Sequence, residues 1–127
     1  MGFGNWHYMR EACHSIYGEM IKIDSPNFFL DLVLFLNNQS FEEEIYWIGA
    51  NDEVTEGVWL WADHSTVQMG TPFWGTIDYY GITQKPNGGE KCDCAAIDKK
   101  SFYYFADYDC AAEDFSVICE YGLQGEI

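Results

Sequence analysis

Ile45-Tyr46-Trp47-Ile48-Gly49-Ala50-Asn51-Asp52-Glu53-Val54-Thr55-Glu56-Gly57-Val58-Trp59-Leu60-Trp61 is the stretch that decides the fold. Ile45 to Gly49 is an apolar run of β-branched and aromatic residues, too short for a helix and typical of a buried strand. Gly57 to Trp61 repeats the signal. Between the two lies a turn rich in acids and ending on glycine, Asp52 to Gly57.

Toward the amino terminus the periodicity changes to that of helices. Trp6, Met9, Cys13, Ile16, Tyr17 and Met20 recur at spacings of three and four, with Gly18 marking the end of the helix. Met20 to Ile23 reads as a short extended piece. Ser25 is a helix cap, Pro26 suits the first helical position, and Phe29, Leu32, Val33 and Leu36 form one apolar stripe that closes at Asn37-Asn38. Toward the carboxyl terminus, Ala62 to Lys91 shows no periodicity. Irregular stretches of that length usually carry function. Cys94–Ile97, Phe102–Phe105 and Phe115–Tyr121 read as three late strands. Two helices followed by short strands predict an α+β domain spanning residues 1–127.

The 127 residues carry 21 acids against 6 bases, a net charge of −15. Such a surface repels phosphate backbones and anionic membranes and favours divalent cations and basic partners. No apolar run reaches the roughly 20 residues of a membrane helix. Met1-Gly2-Phe3-Gly4 has neither the basic start nor the apolar segment of a signal peptide, so secretion implies a leader removed beforehand. The cysteines are Cys13, Cys92, Cys94, Cys110 and Cys119. One early and several late cysteines suggest bridges tying the chain ends together, and the odd count leaves one over. Asn38-Gln39-Ser40 is a glycosylation sequon and also points outside the cell.

These pieces together resemble the C-type lectin-like domain in its short form, over about Asn5 to Tyr121. The first helix and following strand are similar at Trp6, Ala12-Cys13, Gly18-Glu19-Met20 and Ile23-Asp24-Ser25. Trp47-Ile48-Gly49 resembles the family's Trp-Ile-Gly strand, and Trp59-Leu60-Trp61 the next one. Trp74 resembles the loop tryptophan. Lys85-Pro86-Asn87 stands where the family has Glu-Pro-Asn or Gln-Pro-Asp. Cys110 and Ile118-Cys119-Glu120 resemble the closing cysteines. The resemblance implies an α+β fold of two helices flanking antiparallel sheets, a long irregular upper loop and two intrachain disulfides. One bridge is Cys13–Cys119; the other joins Cys110 to Cys94, with Cys92 as the alternative. The cysteine left over is open to a bond between chains or to remaining unpaired. The implied function is an extracellular, secreted carbohydrate-recognition module, glycosylated at Asn38, of the kind used in innate immunity. The alternative is a protein-binding domain that works without calcium.

Family members hold sugar through a loop calcium, and calcium takes six to eight oxygen ligands. That chemistry needs acids or amides on both sides of the cis-proline and an Asn-Asp pair before the late cysteine. This chain departs at both points. Lys85 offers only N–H donors, and Phe105-Ala106-Asp107 replaces Trp-Asn-Asp. Asn87, Asp107 and Glu90 remain, a poor set for the primary calcium site. One reading places the Lys85 ammonium where the metal would sit, beside Asp107 and Asn87. An auxiliary calcium site is less damaged: Asp52 and Glu56 match two of its ligands by position, with Glu90 or Asp93 as a third. Calcium at this auxiliary site is the only cofactor the resemblance leaves. Tyr79-Tyr80 in the long loop are placed either to stack on a sugar or to pack beneath the loop.

No other constellation points to catalysis. His7, His14 and His64 lack a third ligand at zinc spacing. No serine sits in a recognisable nucleophile turn, and Asp107 with Asp109 does not make a glycosidase pair flanking a cleft. The chain is expected not to be an enzyme. Its expected partner is a glycan or a cell-surface protein reached through Lys85, Asn87, Glu90, Asp107, Tyr79 and Tyr80.

Overall fold

The structure, a computed structural model, describes residues 2–70, 72–75, 77–78, 81–82, 85–86 and 91–121. Helix α1 spans Trp6–Ser15; Asn5 caps it by accepting from the Tyr8 N–H. Strand β1, Glu19–Met20, follows. Helix α2 spans Pro26–Asn37; Ser25 accepts from the Phe28 N–H and Pro26 opens the first turn, as the sequence predicts.

The central sheet is built on β2, Ile45–Asn51, the first half of the deciding stretch. One edge of β2 pairs antiparallel with β6, Cys94–Asp98, which pairs in turn with β7, Phe105–Tyr108. The other edge pairs antiparallel with β3, Leu60–Trp61, near the end of β2, and in parallel with β8, Ser116–Val117, near its start. A separate antiparallel pair joins β1 to β9, Cys119–Glu120. In the long loop, β4 (Ile77–Asp78) and β5 (Gly81–Ile82) form a small hairpin.

Gly49 has a packing reason. A Cβ there would lie 2.9 Å from the Met20 carbonyl oxygen, and the Gly49 N–H donates to Ile21 O at 2.9 Å. Any side chain would push β2 off the β1 segment.

Two apolar clusters fill the interior. One gathers Trp6, Met9, Cys13, Met20, Trp47, Cys94, Ala96 and Val117 under α1. Its two indoles are satisfied reciprocally: Trp6 Nε1 donates to Ile48 O at 2.9 Å and Trp47 Nε1 to Gly4 O at 2.8 Å. The other joins Phe29 and Leu36 of α2 to Ile48, Trp59, Trp61, Phe73, Trp74 and Phe105. Phe73 and Trp74, in the stretch without periodicity, are each 1% exposed. The long loop therefore contributes to the core. Cys13–Cys119 and Cys94–Cys110 are the disulfides, and Cys92 is free.

Several elements differ from the sequence reading. Phe102–Phe105 is not a strand. Asp98 accepts from the Lys100 N–H and caps a 3-10 turn at Lys99–Ser101; Phe102 and Tyr103 then take left-handed φ of 58° and 65°, and pairing begins only at Phe105. Phe115–Tyr121 divides into β8 and β9 because its two halves serve different sheets. The strand expected from Gly57 is reduced to Leu60–Trp61, since Gly57 turns with φ 84°. Tyr17 leaves the apolar stripe: α1 ends at Ser15, Tyr17 has φ 65° and is 87% exposed.

Candidate functional site

The site grows from the turn after β2. The Asp52 N–H donates to Asp93 O at 2.9 Å, continuing the sheet register past Asn51 opposite Cys94. This sets Asp93 beside Asp52. The Asp52 carboxylate, in a residue 2% exposed, accepts from the Gly57 N–H at 2.9 Å and so holds the turn closed. Glu56 lies inside that turn. Carboxylate oxygens of Asp52, Glu56 and Asp93 all lie within 4.8 Å of one another.

Three acids this close are unfavourable without a counter-charge. Asp52 Oδ1 and Asp93 Oδ1 are buried with no hydrogen-bond partner. Burial pushes the Asp52 carboxyl up to about 7, with the Asp93 and Glu56 charges adding to the rise against the Gly57 N–H. Orphaned buried carboxylate oxygens are what a divalent cation satisfies. The trio fits calcium as a partial set of protein ligands, to be completed by further oxygens.

A cleft of about 350 Å³ runs from Asp52 and Glu56 to the cis-proline position; Trp59, Pro86, Cys92 and Asp107 also line it, while Asp93 faces the hollow on the other side. The Lys85–Pro86 bond is cis, and the Lys85 N–H donates to Gly75 O at 2.8 Å. Asp107, on β7, is 7% exposed. Ala106 beside it has no side-chain oxygen to offer a cation. The structure brings Asp52, Glu56, Asp107 and Pro86 to one cleft, while Lys85 lines the neighbouring pocket. Asn87, Glu90, Tyr79 and Tyr80 lie outside the described residues.

Cys92 opens into the same cleft. Burial first, then Asp107 and Asp109, push its thiol up, with Lys85 acting the other way. A raised thiol holds less thiolate and is less ready to exchange disulfides. Asp109 lines a separate hollow with His7 and Glu53, apart from the cleft that Asp107 lines. His7 sits 2.8 Å from Glu53 and His14 3.0 Å from Glu19, so both meet carboxylates. Asn38, the sequon residue, is exposed just beyond α2. Among the described residues no helix is long and apolar enough to cross a membrane.

Sequence reasoning missed one feature, a pocket formed by Lys85, Lys100, Ser101, Phe102, Tyr104 and Ala106. The strand assigned to Phe102–Phe105 would have turned alternate residues inward. The available signal was Asp98, whose side chain caps residues two positions on in such turns.

The family model for the lectin C-type domain matches residues 4–121. The C-type lectin mosGCTL-7 of Aedes aegypti is 26% identical over 122 residues, covering 91% of this chain and 76% of the relative. Hepatic lectin of Gallus gallus is 33% identical over 96 residues, covering 73% of this chain and 40% of that protein. Among solved structures, the SPL-1–GlcNAc complex aligns with TM-score 0.74 at 19% identity, covering 93% of this chain and 80% of that one. Human lithostathine aligns with TM-score 0.73 at 18% identity, covering 92% and 76%. These structures share the fold described above. With nearly the whole chain matched and the same framework observed, the protein belongs to the C-type lectin family.

Proposed function

We propose that the protein is an extracellular carbohydrate-recognition module, a single domain over residues 1–127, that binds glycans at the loop-borne cleft. The supporting observation is the cleft itself, which joins Asp52 and Glu56, two of the three clustered acids, to Pro86 and Asp107 beside the Trp59 ring. Asp52, Glu56 and Asp93 hold calcium at the auxiliary position. When bound there, calcium neutralises the trio and stiffens the turn that carries it. Lys85 takes the place of the primary calcium, its ammonium beside Asp107, and sugar hydroxyls are met by hydrogen bonds from these groups and from Asn87 and Glu90. Tyr79 and Tyr80 extend the sugar contact. Glycosylation at the exposed Asn38 belongs to the same extracellular reading. No catalytic step is assigned.

The protein named in the SPL-1–GlcNAc complex binds GlcNAc, which supports a sugar ligand here. A glycan array with and without EDTA tests the proposal. Binding should persist in EDTA, because the primary position carries Lys85 and Ala106. Binding abolished by EDTA would restore a primary calcium site and overturn the lysine replacement. The second reading, a calcium-independent protein ligand, draws on the same two substitutions; no glycan bound in either condition would favour it.

A further inference from the structure

Helix α2 has 12 residues and a single charge, Asp31, in a chain of net charge −15. Its inner residues Phe29 and Leu36 are buried, as a core-facing stripe should be. The outer side is also apolar. Leu34 is 53% exposed and Phe35 55%, and Phe41, just past the helix, is 47% exposed. A surface helix ordinarily turns polar residues outward. A cluster of large apolar side chains in solvent marks a surface that something covers.

The chain itself supplies the candidate. Asn38-Gln39-Ser40, at the end of α2, is a glycosylation sequon with no proline at its middle position. Asn38 is exposed and still follows the helical spiral, since its N–H donates to Phe35 O at 3.1 Å. Residues three apart on such a spiral are neighbours on one face, so Phe35 stands beside Asn38. On the other side of the sequon, Phe41 follows Ser40 directly. Phe35 and Phe41 line one groove of about 300 Å³, together with Leu32, Glu43 and Ile118. That volume is at the small end of ligand pockets, the scale of a single sugar ring with its substituents. The groove shares no lining residue with the acidic cleft.

Other occupants fit less well. The negative charge of the chain opposes an anionic membrane. A second copy seated on this face would have to approach past Asn38 and would bring two attached sugar chains together.

We propose that the first sugar of an Asn38-linked glycan lies in this groove and covers the outer face of α2. Its C–H face rests on the Phe35 ring, Phe41 closes the far side, and the Glu43 carboxylate accepts from sugar hydroxyls. The attachment is the transfer of an oligosaccharide from a lipid-linked oligosaccharyl diphosphate. The bond from the sugar C1 to the Asn38 amide nitrogen forms as the C1–O bond to the diphosphate breaks. The lipid diphosphate leaves and the amide gives up one proton. The proposal rests on the extracellular reading and goes beyond it, by giving the attached glycan a place in the fold.

The full chain, secreted from a eukaryotic host behind a cleavable leader, provides the test. Mass spectrometry should find Asn38 modified in the wild type and unmodified in Ser40→Ala, which removes the sequon and keeps the helix cap. The wild type should melt about 3 °C above Ser40→Ala, the shift that one aromatic contact gives a domain of this size. In a Phe35→Ala background the same comparison should shrink below about 1 °C, because the glycan then has no ring to cover. In a Leu30→Ala background, on the same helix but away from the sequon, the shift should stay at about 3 °C. A dye that reports exposed apolar surface should bind Ser40→Ala more than the wild type. A secreted wild type with Asn38 unmodified would overturn the proposal and leave the extracellular reading standing. A stabilisation that survives Phe35→Ala would overturn the packing, and a glycosylated wild type that sediments as a dimer through this face would give the groove to a second copy. On the glycan array Ser40→Ala and the wild type should bind alike, so failure of the cleft reading shows separately.

Discussion

The end of the domain where β1 pairs with β9 and the end that carries the cleft are built on opposite terms. At the first, Cys13–Cys119 and the β1–β9 pair close the chain, and the buried indoles of Trp6 and Trp47 both donate to carbonyls. At the second, Asp52 Oδ1, Asp93 Oδ1 and the Trp61 Nε1 of neighbouring β3 are buried without partners. Among the described residues these are the only such side-chain atoms. A buried polar group left unsatisfied costs about 1–3 kcal/mol, more when charged. The closed end therefore supplies stability, and the open end holds an unmet demand that a bound ion or ligand can meet.

The largest effect should come from opening the closed end. Cys13→Ala with Cys119→Ala removes a bridge between residues 106 apart and should cost about 2–5 kcal/mol in denaturant unfolding. Sugar preference should not change. Removing Cys94–Cys110, which spans only 16 residues, should cost less by loop entropy. It should instead disturb the calcium response, since Cys94 adjoins Asp93. Equal stability losses and no change in calcium response would erase the distinction between the two ends.

Trp47→Phe is the next largest. It keeps an aromatic ring in the cluster but leaves Gly4 O without the indole donor. A loss of about 1–3 kcal/mol is expected by thermal unfolding, unaffected by calcium.

Asp52→Asn should have the reverse character. In EDTA at pH 7.5 the variant should be more stable than the wild type by about 1 kcal/mol, because one of three crowded charges is gone. Adding calcium should raise the wild-type midpoint and leave the variant's nearly fixed. The variant's gain in EDTA should shrink near pH 5, where the Asp52 carboxyl, raised to about 7, is protonated in the wild type. A variant less stable than wild type in EDTA would show that the Asp52–Gly57 bond outweighs the crowding.

The legibility of these features follows how local their causes are. Ser25 and Pro26 start α2 through contacts within one turn, so the sequence alone places it. Trp47-Ile48-Gly49 is legible because a short apolar run has few alternatives to a buried strand. Phe102–Phe105 misleads because Asp98 competes for the backbone N–H groups before pairing begins. At the site, Asp52 and Glu56 are legible because one turn holds both. Asp93 was one of two alternatives; its place depends on the register of Asn51 opposite Cys94, a pairing between strands far apart in sequence. Lys85 and Ala106 show a missing ligand by themselves, but the pocket beside them depends on the left-handed turn at Phe102.

The smallest predicted effect lies on the surface between the two ends. Lys22, just after β1, holds Asp63, just after β3, at 2.8 Å. The Lys22 ammonium and the Ser65 donors hold the Asp63 carboxyl well below its ordinary value of 3.8. A depressed carboxylate stabilises the fold above its unfolded pKa and loses that contribution as pH falls through the folded one. Asp63→Asn should therefore cost stability at pH 7 and cost progressively less below about pH 4. With Asp63 exposed and Lys22 only half-buried, the loss should stay under about 1 kcal/mol and fade in high salt. A loss as large as that of Trp47→Phe would mean that this pair couples the closed end to the cleft, and that the two ends do not act separately.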